Sequence, residues 1–155
     1  MIVVSDTSPI NYLLLIHQID LLPRLFERII IPDAVRKEML NEGAPSILQK
    51  WIKNPPLWLE VQTVSTIDQS LNRLDIGEQS AITLAQTLPA DLLLIDERLG
   101  RKKAIERSIQ IIGTLGILDE AGERGWIDLA HSLTQLQQTN FRISRQMIKE
   151  LLKNR

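Results

Sequence analysis

The chain has no cysteine. That removes disulfides, thiolate nucleophiles and cysteine zinc sites together. Histidine is nearly missing as well, since only His17 and His131 are present, so a histidine-rich metal centre is not expected. No apolar stretch approaches the ~20 residues a membrane-spanning helix needs. The amino terminus reads as a short strand containing Asp6, not as a basic region followed by a long apolar run. A cytoplasmic protein with no membrane partner is therefore expected. There are no internal repeats and no low-complexity segment. The net charge is −1, which argues against a uniformly basic, nucleic-acid-coating surface.

What is present suits one soluble domain. A chain of 155 residues, 44% hydrophobic and 24% charged, can bury a real core but is short for two domains. Basic charge gathers in two places. Residues 98–107, RLGRKKAIER, and the last fifteen residues, FRISRQMIKELLKNR, each hold five basic residues and one acid.

Short apolar runs alternate with helical patterns. Strands are expected at 2–5, 28–32, 59–64, 92–96 and 110–114. Helices are expected at 9–21, 33–41, 45–53, 75–88, 98–108 and 115–124. This alternation specifies an α/β fold with a mainly parallel central sheet covered on both faces. Residues 1–125 would form that domain. Residues 126–155, helical in pattern with a break near 138–141, would be a C-terminal helical extension of it. Ser8 followed by Pro9 reads as an N-cap with proline at the first helical position. That leaves Asp6 at the carboxyl end of the first strand, the edge where open α/β sheets bind ligands.

Three more acids sit in odd places. Glu38 lies on the edge of the apolar stripe formed by Ala34, Val35 and Met39. Glu78 heads the stripe Ala81, Ile82 and Ala85. Asp96 ends the apolar run 92–95 as Asp6 ends the first. Each has an ordinary structural explanation: a capping box between Asp75 and Glu78, an N-cap at Asp96, a lysine partner for Glu38. Taken together they imply more. Two carboxylates ~5 Å apart repel by roughly 3 kcal/mol at an effective dielectric of ~20, so four in one pocket need protons or a cation. Oxygen ligands alone select a hard ion, Mg2+ or Mn2+.

These strings resemble the PIN-domain ribonucleases, especially the VapC-like toxins of toxin–antitoxin pairs. The resemblance spans about residues 1–120 and rests on VVSDTSPI, IPDAVRKEML, LDIGEQSAITLA, LLLIDERLGRKKA and IIGTLGIL. It implies a three-layer α/β/α fold with extra C-terminal helices. It also implies a divalent-metal-dependent endoribonuclease with Asp6, Glu38, Glu78 and Asp96 as catalytic acids. Asp6, Glu78 and Asp96 would hold the metal, with Glu97 as a rival to Asp96. Bound ions would polarise the scissile phosphate and acidify an attacking water. Arg98, Arg101, Lys102 and Lys103 would contact RNA phosphates. Thr7 and Ser8 would orient Asp6 or cap the helix. Family likeness further implies a homodimer and a cognate antitoxin. The C-terminal apolar positions, among them Leu129, Leu133, Leu136, Phe141, Met147 and Leu151, would either pack on the sheet or serve such a partner. Two other readings stay open. One is a haloacid-dehalogenase-like phosphatase, in which Ser8 would replace the usual second acid. The other is an inactive PIN domain that binds RNA or protein.

Overall fold

The structure, a computed structural model, describes residues 1–153; the last two residues of the expected C-terminal extension lie outside the described residues. Five short strands, β1 (Val3–Ser5), β2 (Ile29–Pro32), β3 (Leu59–Gln62), β4 (Leu92–Leu94) and β5 (Ile111–Ile112), form one sheet in the order β3-β2-β1-β4-β5. Every pairing is parallel, so the expected mainly parallel sheet is wholly so. The strands are apolar on both faces because helices cover both.

The helices divide between those faces. Val3, Ile29, Ile31 and Leu94 point into one core layer, shared with α1 (Thr7–Leu15), α2 (Leu21–Phe26), α3 (Asp33–Leu40) and α4 (Ser46–Lys53). The same layer receives α7 (Thr114–Glu123) and α8 (Leu129–Gln137). Val4, Leu93 and Ile95 point the other way, against α5 (Ile76–Thr87) and α6 (Arg98–Glu106). Alternate strand residues thus serve opposite layers, as the two-residue period of a strand requires. The result is the three-layer α/β/α arrangement.

Two expectations need correcting. Residues 9–21 are not one helix: α1 ends at Leu15, His17 takes a left-handed φ of 59°, and a separate α2 follows. The Gln18 amide closes the turn onto the Leu13 carbonyl at 2.7 Å. The helix also begins at Thr7, not after Ser8, which puts Pro9 at its third position. Pro is tolerated throughout this first turn because its missing N–H has no intrahelical partner there.

Leu129, Leu133 and Leu136 of α8 are buried in the first core layer. The last helix, α9 (Arg145–Leu152), has no fully buried residue, although Ile148, Leu151 and Leu152 pack against the same core. Among the described residues, no helix is long and apolar enough to cross a membrane.

The chain builds β1 to β3 in one direction and then returns to place β4 on the other side of β1. Ligands of open α/β sheets bind at such a reversal, beyond the carboxyl ends of the strands. Here that point lies between β1 and β4, where Ser5 is paired with Leu94.

Candidate active site

Asp6 and Asp96 leave the sheet side by side at this reversal. The Asp6 amide donates to the Leu94 carbonyl at 2.9 Å, so the register carries both acids to the same edge. Asp6 occupies the N-cap position of α1 with extended backbone, yet its side chain caps nothing. It is only 4% exposed, and its Oδ1 has no hydrogen-bond partner. Burial, reinforced by the charges of Glu38, Asp75 and Asp96 against an opposing bond from the Thr7 backbone, pushes its carboxyl up to about 7.

Asp96 does not cap the next helix. Glu97 does, accepting from the Gly100 amide at 2.7 Å. Asp96 instead turns toward the start of α7, where Thr114 donates its amide to Oδ1 and its hydroxyl to Oδ2, both at 2.7 Å. Burial raises the Asp96 carboxyl, and the two Thr114 bonds and the Arg101 guanidinium partly offset this. Arg101 also donates to the Ile95 carbonyl at 3.3 Å.

The other two acids arrive on helices. Glu78 is the third residue of α5. The capping box foreseen as its ordinary explanation is real: Asp75 accepts from the Glu78 amide at 2.8 Å, and Glu78 Oε1 accepts from the Asp75 amide at 3.2 Å. That bond uses one oxygen only. Oε2 is buried without a partner. Burial, then the neighbouring Asp75 and Asp6 charges, push the Glu78 carboxyl up to about 9. Glu97 behaves oppositely. Burial works to raise it, but the Gly100 and Leu99 amides and the Glu78 carboxyl outweigh that and hold it low.

Glu38 projects from α3. Its Oε1 accepts from the Thr7 hydroxyl at 3.0 Å, while Oε2 is buried and unpartnered. The Thr7 hydroxyl therefore orients Glu38, while the Thr7 backbone bonds Asp6. Burial raises the Glu38 carboxyl and Asp75 adds to this, against the Thr7 bond and the Gly77 amide. The carboxylate rests directly on the bare Cα of Gly77: a Cβ built there would lie 1.8 Å from Oε2. Only glycine leaves that space. Gly113 acts alike at the other end of the site, since its Cβ would meet Asp96 Oδ1 and Arg101 NH1, each at 2.7 Å.

All four predicted acids thus lie at one edge of the sheet, and their charges act on one another. Among the described residues, no three acid or histidine side chains stand as a ready-made metal cage. Even so, the donor set fits a hard cation. Asp6, Glu38 and Glu78 each keep one buried oxygen that no protein donor reaches. Such orphaned acceptors are costly unless a proton or cation satisfies them. The glutamate arms have the torsional freedom to bring those oxygens onto a shared ion.

Of the predicted phosphate contacts, Arg98, Arg101 and Lys102 line a groove of about 1050 Å³ that Asp96 also lines. Lys103 is not among the residues lining it and pairs with Glu106 at 3.8 Å. Sequence reasoning did not single out Gly77, Gly113 or Thr114. A hint existed in the Gly113-Thr114 step, where a strand hands over to a helix as it does at Asp6-Thr7.

The PIN domain family profile matches residues 2–155, further than the 1–120 the motifs covered. Among solved structures, a PilT N-terminus domain protein from the hyperthermophilic archaeon Sulfolobus solfataricus P2 superposes with a TM-score of 0.55 at 16% identity. The alignment covers 93% of this chain and all of that one; at such identity the likeness establishes the fold. No curated protein matches the chain.

Proposed function

The chain belongs to the PIN-domain family, and on that premise we propose that it is a divalent-metal-dependent endoribonuclease, the toxin of a type II toxin–antitoxin pair. PIN domains are generally nucleases that use divalent metals. The observation that carries the reading here is the set of three buried, partnerless carboxylate oxygens on Asp6, Glu38 and Glu78, beside an Asp96 fixed by Thr114.

In this reading Asp6, Glu78 and Asp96 hold Mg2+ or Mn2+, which when bound neutralises phosphate charge and acidifies water. Glu38, tethered by Thr7, is the acid placed to accept the proton of the attacking water. Thr114 keeps Asp96 in one rotamer, and Arg101 holds positive charge beside it in the lining of the groove. Arg98 and Lys102, both exposed, attract the flanking phosphates. Glu97, committed to the helix cap, is a neighbour of the metal set and not a member of it.

The direct test is incubation of the purified protein with single-stranded RNA in Mg2+, in Mn2+ and in chelator. Cleavage in metal that disappears both in chelator and in the Asp6→Asn variant supports the proposal. Intact RNA under every metal condition would leave a PIN fold that binds without cutting.

The toxin role brings two partners with it, a second copy of the chain and an antitoxin. Light scattering tests the dimer, which a monomer at high micromolar concentration would refute. Co-expression with the adjacent gene product tests the antitoxin, which should suppress cleavage.

A further inference from the structure

Two unlike segments contribute to the groove that Asp96 lines. One is α6, which contributes Arg98, Arg101 and Lys102. The other is the C-terminal segment, through Phe141, Arg142 and Met147. That second segment is not needed to complete the sheet. Its helix, α9, has no fully buried residue, and Met147 is 43% exposed. Ile105 faces the same groove at 61% exposure.

We propose that this groove seats a single-stranded RNA segment on one side of the cut, with Arg142 as a phosphate contact and Met147 and Phe141 as the surface on which a base rests. This rests on the ribonuclease reading above and extends it to the C-terminal segment.

Charge decides the occupant. The lining carries four cations, Arg98, Arg101, Lys102 and Arg142, against Glu106 and Asp96 alone. None of Arg98, Lys102 and Arg142 enters a salt bridge among the described residues. Free cations from both segments call for a ligand negative along its length, and Asp96, a candidate catalytic acid, lines the same groove. Apolar side chains in the same lining call for flat, weakly polar faces. A single strand offers both, a phosphate at each step and an unstacked base between. A duplex hides its base faces and has nothing to place against Met147. Phe141 is anchored for this role by edge-on packing against Tyr12, with ring centroids 4.9 Å apart.

The test measures binding apart from cutting. A fluorescein-labelled single-stranded RNA of mixed sequence is titrated in chelator with wild type, Arg142→Ala, Met147→Ala and Lys50→Ala. Lys50, exposed on α4, lies outside the groove and controls for general electrostatics. Arg142→Ala should weaken binding about fivefold and lower the slope of log K against log salt by roughly 0.7, the value for one phosphate contact on a single strand. Met147→Ala should weaken binding by several fold and leave the slope unchanged. Lys50→Ala should bind as wild type does.

Wild-type affinity in both groove variants would overturn the assignment, even if the protein cuts RNA in Mn2+. Equal affinity for a duplex of the same sequence would overturn it too. A poly-glutamate peptide that responds to both substitutions while RNA does not would make the groove a protein-docking surface instead. Conversely, Arg142-dependent RNA binding without cleavage in any metal supports the groove assignment and refutes the ribonuclease reading.

Discussion

Thr114 holds both oxygens of Asp96, the amide on Oδ1 and the hydroxyl on Oδ2, each at 2.7 Å. The bonds join the end of β4 to the first turn of α7 across the edge strand β5. A helix amino terminus is a favourable seat for a carboxylate because its free amides and dipole face the charge. With Asp96 held there, the cap of α6 falls to Glu97.

Thr114→Val keeps the amide bond and loses the hydroxyl bond. The abandoned Oδ2 then lacks its donor in a half-buried site. Stability should fall by about 1–2 kcal/mol and metal-dependent RNA cleavage by about tenfold, whereas Thr114→Ser should retain most of both. Parallel thermal melts and cleavage rates check this; full activity in the valine variant would mean Asp96 needs no anchor.

Asp6→Asn and Asp96→Asn should both abolish cleavage, but their effects on stability should differ. In chelator at about pH 8, Asp6→Asn removes a buried charge with an unpartnered oxygen and should raise stability by on the order of 1 kcal/mol. Asp96→Asn should gain less, because the two Thr114 bonds partly offset the cost of burying the charge it removes. A marked loss of melting temperature in Asp6→Asn would show that this carboxylate is structural.

The raised carboxyls set a pH dependence. Asp6 and Glu78 have ordinary values of 3.8 and 4.5, and the fold lifts them to about 7 and about 9. The folded protein therefore binds their protons more tightly than the unfolded chain does. Their contribution to stability is complete below about pH 4 and is lost as pH rises through about 7 and then about 9. For Asp6 alone the lift corresponds to on the order of 4 kcal/mol. In chelator the melting temperature should fall between about pH 5 and pH 9. Added Mn2+ should restore it, most strongly at the alkaline end, since the cation then replaces the protons. Stability that climbs across this range in chelator would mean the two acids are held as anions by protein donors.

Gly77→Ala sets helix propensity against geometry. An alanine inside an exposed helix would gain up to about 1 kcal/mol, but here its Cβ would meet the Glu38 carboxylate. Glu38 must swing away and break its bond to Thr7. The expected result is little change in melting temperature, with metal-dependent RNA cleavage reduced by roughly a hundredfold. Unchanged cleavage would show that Glu38 does not need its seat on Gly77.

The four acids could be read from the sequence because each broke a local pattern, Asp6 and Asp96 at the ends of apolar runs and Glu38 and Glu78 on apolar stripes. The alternation of strands and helices was equally local, and so the layers followed from it. The supports of the acids were not local. Thr7 reaches Glu38 across 31 positions and Thr114 reaches Asp96 across 18, and nothing in a window of one helix turn announces either bond. Gly77 looked like an ordinary residue of a helix start until α3 was packed against it. The second helix was missed for a different reason. One apolar stripe runs through residues 9–22, and only the left-handed turn at His17 divides it.

The strand order has a consequence for how the protein is made. Domains begin to fold from the amino terminus as the ribosome releases them. Asp6 emerges well before β4, the strand that sits beside it, and the clamp on Asp96 arrives only with Thr114. If the site cuts RNA as proposed, a chain still being synthesised stays harmless to the message that encodes it until Thr114 is out. The late return of the chain to the middle of the sheet would then act as a timer, set by topology alone and needing no inhibitor.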